Sequence, residues 1–98
     1  MPFKFVTTET KTNTMSPFFQ FSDGWVERLN QFRAETKCLK AYSEFINSGN
    51  VRIRTSEWAS EAEFNNFRNL DLLQEELQAW TNHNTRFGIT CTEERSNS

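Results

Sequence analysis

The segment "INSGNVRIRT", from Ile46 to Thr55, constrains the fold of this chain more than any other stretch. "NSGN" is typical of a tight turn, and "VRIRT" alternates β-branched with charged residues at a period of two. A strand needs a partner, and the segment before the turn is the nearest one. We therefore predict a hairpin of strands Cys38–Ile46 and Val51–Trp58, although Leu39–Ile46 could instead continue a preceding helix.

Before the hairpin, the pattern predicts one strand and one helix. "FKFVTT" alternates as a strand does, and the polar "TETKTNTMSP" then reads as a long connection leading to a short extended "FFQF". Ser22 or Asp23 can serve as a helix N-cap. The helix that follows places three large apolar residues on one face: Trp25, Leu29 and Phe32.

After the hairpin, the pattern predicts two helices and a last strand. "SEAE" is a capping box formed by Ser60 and Glu63, and it opens a short helix with Phe64 and Phe67 inside. Asp71 can cap a second helix, which Gly88 ends. The apolar stripe of that helix contains Leu73, Leu77, Trp80 and Phe87. "ITCTEE" is the last strand, and "RSNS" follows it as a tail.

This order of elements is β-α-β-β-α-β with the second helix broken into two. It predicts one α+β, ferredoxin-like domain over residues 1–98, with 93–98 as a flexible tail. We expect an antiparallel sheet of strand order 4-1-3-2 with the helices on one face. The other face is then uncovered.

The charge and the cysteines exclude several classes of protein. A net charge of −2 gives no general attraction to nucleic acid or to anionic membranes, and no apolar run approaches the ~20 residues of a membrane span. The N-terminus lacks the apolar core of a signal peptide, so we expect a cytoplasmic protein. Cys38 and Cys91 would lie on opposite sheet edges as free thiols. With His83 as the only histidine, we expect no metal site and no cofactor.

Arg52 and Arg54 are the most informative polar residues of the hairpin. Alternation predicts that Val51, Ile53 and Thr55 face the helices, which leaves the arginines, Ser56 and Trp58 on the open face. There the arginines could be solvated charges paired with Glu44, or part of a homodimer interface. RNA binding is disfavoured, because "VRIRTSEW" lacks the glycines and the aromatic pattern of an RNA-binding sheet.

A family resemblance appears where the third strand meets the next helix. "EWAS" followed by "EAEFNNFRN" resembles the dimeric α/β-barrel superfamily, and within it the antibiotic-biosynthesis-monooxygenase-like group. Five residues match the pattern of that group: Trp58, Ser60, Glu61, Glu63 and Phe64. The resemblance covers Cys38 to Phe67, whereas "TETKTNTMSPFFQFSD" is a longer and more polar entry to the first helix than the group has.

The resemblance implies a ferredoxin-like homodimer with a pocket between sheet and helices. Oxygenases of this group can work without metal or cofactor, using Asn, Trp or His to polarise the substrate. His83 and Asn84 are the candidate catalytic residues on that basis. Trp25, Trp58 and Trp80 are also candidates, although they are most simply core residues. The superfamily also contains proteins with no assigned activity, so the resemblance does not itself imply catalysis.

Two hypotheses for function follow. The first is a homodimeric protein that binds a small molecule or a protein partner without catalysis. Its ligand or interface residues would be Arg52, Arg54, Trp58, Phe18 and Phe19, and an exposed Phe18 or Phe19 would anchor a protein partner. The alternative is a cofactor-independent monooxygenase acting on a small aromatic or lipophilic substrate.

Overall fold

A computed structural model of the chain describes residues 2–97. Over that range one antiparallel sheet has the strand order β2-β3-β1-β4, which is the predicted 4-1-3-2 order. The elements in chain order are β1 (Phe3–Lys11), α1 (Asp23–Ala34), β2 (Cys38–Ile46), β3 (Val51–Trp58), α2 (Glu61–Arg68), α3 (Asp71–Phe87) and β4 (Ile89–Asn97). The α+β, ferredoxin-like architecture is therefore confirmed.

The hairpin has the predicted bounds. Ile46 pairs with Val51, and the chain reverses through three successive left-handed residues, Asn47, Ser48 and Gly49, with φ of 52°, 58° and 84°. Asn and Gly tolerate this conformation better than most residues. The segment before the turn is a strand and does not continue α1.

Three of the predicted helix caps form, two at N-termini and one at a C-terminus, and a fourth does not. The Oγ atoms of Ser22 and Ser60 each accept a backbone N–H, from Trp25 and from Glu63, at 3.3 Å. Gly88 ends α3 with a φ of 67°. The prediction that Asp71 caps α3 is wrong, because Leu70 holds the cap position and makes no side-chain hydrogen bond. Asp71 is instead in the first turn, where the negative charge of a carboxylate interacts favourably with the helix dipole.

β1 and β4 are both longer than predicted. β1 runs to Lys11, through residues assigned to the connection, because the whole of it pairs with β3 on one side and β4 on the other. β4 runs to Asn97, and Arg95 pairs with Phe5. These strand ends consist mostly of Thr, Glu, Ser and Asn, so they lack the apolar alternation that marks a strand in sequence.

The core is a layer of aromatic rings between the sheet and the helices. Phe64 of α2 lies 5.2 Å from Phe3 and 4.5 Å from Phe5, measured between ring centroids. All three tryptophans are buried, and they carry much of the apolar area that the few aliphatic residues cannot supply. The cluster contains Phe3, Phe5, Trp25, Cys38, Trp58, Phe64, Phe67 and Leu73.

The two faces of β3 are the reverse of the prediction. Arg52 lies opposite Glu9, and Arg54 opposite Thr7, on the side of β1 that also carries the core residue Phe5. The arginines therefore lie under the helices, whereas Ile53 is on the open face. Trp58 explains this orientation of β3, because its large ring is fully buried in the core. Every second residue of a strand points to the same face, so Arg54 and Arg52 face the helices as Trp58 does.

Candidate functional site

A cavity of about 60 Å³ lies between the sheet and the helices. Its walls are largely aromatic, and they come from β1, β2, β3, all three helices and the connection between β1 and α1. The aromatic side chains beneath and around it include Phe5, Phe21, Trp25, Trp58, Phe64, Phe67 and Trp80. Thr7, Arg54, Ser56 and Arg68 add polar groups, and Asp, Glu, His, Lys and Cys are absent from this lining.

Arg54 is the most unusual of these groups. Its guanidinium carbon lies 4.1 Å from the ring centroid of Phe21, yet the guanidinium has no hydrogen bond or ion pair to any residue between 2 and 97. Burial, together with the charge of Arg52, lowers the pKa of Arg54 to about 10, and the charge of Glu9 opposes part of this shift. Burial and the neighbouring positive charge both disfavour the charged form. A cation facing an apolar cavity without a counter-ion is energetically costly.

Arg52 differs from Arg54 because it has a counter-ion. Its Nε donates to Oε1 of Glu9 at 2.7 Å, and its Nη1 donates to the carbonyl oxygen of Phe19 at 3.0 Å. The second carboxylate oxygen of Glu9 accepts the indole N–H of Trp80 at 3.0 Å. Glu9 is completely buried, and its two oxygens accept hydrogen bonds from Arg52 and Trp80 and none from Arg54.

A second guanidinium, from α2, reaches the same cavity. Arg68 Nη2 lies 3.7 Å from Oε2 of Glu93, a distance longer than that of a strong charge-assisted hydrogen bond. Burial lowers the pKa of Arg68, and Glu93 opposes that shift. The cavity is therefore bordered by two cations and one distant, partly exposed carboxylate.

Trp25 adds an unused hydrogen-bond donor. Its ring stacks on Phe21 with centroids 4.6 Å apart and lines the cavity. Its indole N–H is buried and has no acceptor among residues 2–97. A buried N–H without a partner costs about 1–3 kcal/mol. Arg54 and Trp25, whose donors have no acceptor among the described residues, thus border the same space. Nη2 of Arg52 is also buried without an acceptor, but Arg52 does not line this cavity.

The structure separates the predicted ligand and interface residues. Arg54 and Trp58 line the cavity, whereas Arg52 is held by Glu9. Phe18 is buried, with its ring centroid 4.9 Å from the guanidinium carbon of Arg52. The expectation that Phe18 is an exposed anchor is wrong, because its ring is covered by the guanidinium of Arg52 and the ring of Phe45. Phe19 is half-buried beside His83.

The two candidate catalytic residues lie outside the cavity. His83 is half-buried; its Nε2 lies 2.8 Å from the carbonyl oxygen of Pro17, and its ring packs on Phe87. Asn84 is buried in a separate groove of about 250 Å³ between α3 and β4, which Cys91 also lines. The carboxamide oxygen of Asn84 is buried without a donor among the described residues. The side chains of His83 and Asn84 therefore do not face a shared site in which they could contact the same ligand.

The sequence analysis missed Glu9, Phe21 and Arg68. Glu9 continues the period-two series Phe3, Phe5, Thr7, which would have placed a carboxylate on the buried face had β1 been extended by three residues. Such a carboxylate requires a buried cation, and Arg52 on the neighbouring strand is that cation. Nothing in the sequence indicates that Phe21 would cover Arg54.

The cysteines lie on opposite edge strands of the sheet, Cys38 on β2 and Cys91 on β4. Burial raises the pKa of each thiol to about 11. Within residues 2–97 no group of three or more metal-ligating side chains comes together. None of the helices in that range is long and apolar enough to cross a bilayer.

The fold matches solved structures, although the sequence matches no protein-family model and no curated protein. SnoaB from Streptomyces nogalater, a cofactor-independent oxygenase, aligns in a mutant form over 99% of this chain and 92% of its own, with a TM-score of 0.67 and 12% identity. A protein from Deinococcus radiodurans, provisionally named an antibiotic biosynthesis monooxygenase, aligns over 100% and 92%, with a TM-score of 0.60 and 12% identity. A conserved protein from Methanosarcina mazei aligns over 98% and 92%, with a TM-score of 0.60 and 9% identity. This chain therefore has the ferredoxin-like fold of antibiotic-biosynthesis-monooxygenase-like proteins, in agreement with the resemblance in its sequence.

Proposed function

We propose that this protein binds a small molecule, without catalysis, in the cavity between its sheet and its helices. The observation that carries the proposal is that Arg54 and Trp25 border the same aromatic cavity. The buried indole N–H of Trp25 has no acceptor among the described residues, and the half-buried guanidinium of Arg54 has no hydrogen bond or ion pair to them. Ligand sites commonly combine apolar walls with a few such polar groups. A bound ligand would satisfy donors that otherwise cost stability.

The lining of the cavity favours binding over catalysis. Proton transfer to or from a substrate needs a group that changes protonation state near the working pH. The cavity offers two guanidiniums, the phenol of Tyr42 and three hydroxyl-bearing side chains of Ser and Thr. None of these residue types ordinarily changes protonation state near pH 7. His83, the only imidazole in the sequence, contacts Pro17 and Phe87 instead.

A cofactor-independent monooxygenase is the second candidate. One observation favours it: the fold aligns with SnoaB, a cofactor-independent oxygenase, over nearly its whole length. The measurement is oxygen uptake in the presence of small phenolic compounds. An enzyme would consume oxygen in proportion to protein concentration, and uptake would fall in Trp58→Phe, which retains a ring in the cavity wall. Equal uptake with and without protein would contradict this candidate.

We also propose a homodimer formed through the open face of the sheet. That face carries two exposed apolar residues of β2, Tyr42 and Ile46, beside Ile53 of β3 and Val6 of β1. Covering such a face with a second copy buries apolar area that a small domain cannot bury alone. The arginines lie on the other side and take no part in this interface.

The binding proposal is tested by NMR of the Trp25 indole N–H during titration with a panel of small alcohols, amides, phenols and carboxylates. Ala41→Leu places extra volume in the cavity wall, whereas Ala79→Leu makes the same change at an exposed site of α3. We expect a compound that shifts the Trp25 signal in wild type and in Ala79→Leu but not in Ala41→Leu. A shift that persists in Ala41→Leu, or a panel with no effect, would contradict binding in this cavity.

A further inference from the structure

We propose that the ligand of this cavity is a small monocarboxylate, whose carboxylate is held by Arg54 and the indole N–H of Trp25. The inference rests on the proposed function, since it names the chemical class of ligand for the same cavity. It follows from three properties of the site: the balance of charge, the geometry of the donors and the volume.

The charge balance leaves one cation, the half-buried Arg54, without an anion. Arg52 and Arg54 both lie under the helices, and Glu9 is the carboxylate between the central strands on that side. Arg52 and Trp80 occupy both oxygens of Glu9. The whole protein carries a net charge of −2, so an excess of positive charge at this site runs against its overall balance. A ligand with one negative charge would neutralise Arg54.

The donors fit a carboxylate better than a neutral ligand. A guanidinium offers parallel N–H groups that match the two oxygens of a carboxylate, and it cannot accept a hydrogen bond. The indole N–H of Trp25 is likewise a donor only. Both unpartnered groups therefore require an acceptor. Aromatic rings such as Phe21 and Phe64 would surround the rest of the ligand, which should be apolar.

The volume limits the ligand to a few atoms. An engineered apolar cavity of roughly 150 Å³ takes up benzene. The cavity here is about 60 Å³, which is too small for a six-membered ring unless side chains move. Acetate and propionate combine one charge, one pair of acceptor oxygens and a short apolar end. They are the probes that the site predicts.

The test titrates the protein with sodium acetate, with sodium chloride at equal ionic strength, and with acetamide as the neutral analogue. The readouts are the NMR signal of the Trp25 indole N–H and the thermal unfolding midpoint. We expect saturable binding of acetate alone. Arg54→Met should raise the dissociation constant for acetate at least about tenfold, because hydrogen bonds to charged groups are among the stronger ones. Arg28→Met, which removes an exposed guanidinium from α1, should leave it within about twofold.

Trp25→Phe is a second variant, read by the thermal midpoint, since it removes the N–H while retaining a ring. We expect acetate to stabilise it less than wild type. If acetamide binds as tightly as acetate, or Arg54→Met binds acetate as wild type does, the carboxylate assignment is wrong and small-molecule binding stands. If neither these probes nor the wider panel binds, both proposals are contradicted.

Discussion

Glu9 accepts a hydrogen bond from Nε of Arg52 at 2.7 Å, across the two central strands and beneath the helices. The carboxylate is completely buried, and the guanidinium nearly so. A pair of this kind is hardly weakened by salt, but each member is costly if the other is removed. The same pair explains why Arg54, two residues along β3, is left without a partner.

Glu9→Gln should destabilise the protein by about 3–5 kcal/mol, because it leaves the charge of Arg52 buried and unpaired. Urea unfolding followed by tryptophan fluorescence measures the loss. Glu94→Gln is the control: it makes the same change at an exposed position of β4 and should alter stability by less than about 0.5 kcal/mol. Equal effects in the two variants would mean that the pair does not stabilise the fold.

Arg52→Met and Arg54→Met should act in opposite directions at pH 7. Arg52→Met strips Glu9 of its counter-ion and should cost about 3–5 kcal/mol. Arg54→Met removes a buried charge with no partner, and it should be neutral or stabilise by about 1 kcal/mol. The measurement is the urea midpoint of both variants and of wild type. A large loss of stability in Arg54→Met would show that its guanidinium has a stabilising role in the unliganded fold.

The lowered pKa of Arg54 gives the sign of its pH dependence. At pH values between about 10, the pKa of Arg54 in the folded chain, and its higher ordinary pKa in the unfolded chain, the unfolded state binds more protons. The contribution of Arg54 to stability should therefore rise as the pH rises through that window. The difference in stability between wild type and Arg54→Met, compared at pH 9 and pH 11, isolates this contribution. A difference that does not change, or that shifts in favour of the variant, would contradict it.

Cys91 should react slowly with thiol reagents, although it lies on an exposed edge strand. Burial, with the charges of Glu9 and Glu93, raises the pKa of its thiol from 9.0 to about 11. The thiolate fraction at pH 8 is then about a hundredfold lower than at the ordinary pKa, and the thiolate is the reactive form. The measurement is the rate at which a disulfide reagent modifies Cys91 in the Cys38→Ser variant, compared between pH 8 and pH 11. The ratio of the two rates reports how far the pKa of Cys91 is raised.

Glu93→Gln should speed that reaction, since it removes one of the charges that disfavour the thiolate. Glu94→Gln changes the neighbouring residue of β4, which points to the opposite face, and should leave the rate unchanged. A rate in the parent Cys38→Ser protein that matches a small free thiol would refute the raised pKa.

Ile53→Lys should convert a dimer into a monomer, because it places a charge in the middle of the open face. The new ammonium would lie opposite Glu44 of β2, so the monomer should still fold. Light scattering after size exclusion gives the mass. Val26→Lys makes a comparable change on the exposed surface of α1 and should leave the mass of wild type. A monomeric wild type, or a dimeric Ile53→Lys, would contradict an interface through this face.

The order of the strands could be predicted because each element carries a local mark of its own. "NSGN" marks the hairpin, Ser22 and Ser60 begin helices, and Gly88 ends one. Each of these signals reflects the backbone conformation of only a few neighbouring residues, so it can be recognised in a single sequence. The aromatic core followed in part from the same spacing: Trp25 and Trp80 are buried as predicted, whereas Trp58, which the alternation of β3 placed on the open face, is buried in the core.

The site could not be predicted to the same extent, because it depends on which face of β3 is buried. The alternation of Val51 and Ile53 with Arg52 and Arg54 favoured burial of the aliphatic residues. The register with β1 reverses that choice by supplying Glu9 to one arginine and an aromatic cover to both. Pairings of this kind join residues more than thirty positions apart, and they leave no local pattern.

The connection between β1 and α1, residues 12–22, is fastened to α3 and its C-terminal cap. Thr12 bonds to the carbonyl oxygen of Gly88, Ser22 bonds to the side chain of Glu76, and the carbonyl oxygen of Pro17 lies 2.8 Å from His83. Phe21, from the same connection, forms part of the cavity wall over Arg54. If a ligand enters past Phe21, the connection of residues 12–22 must first detach from α3. The association rate would then level off at high ligand concentration, because this opening step would limit it. Thr12→Val removes one hydrogen bond that holds this connection. It would then raise the association and dissociation rates of the ligand together and leave the affinity nearly constant.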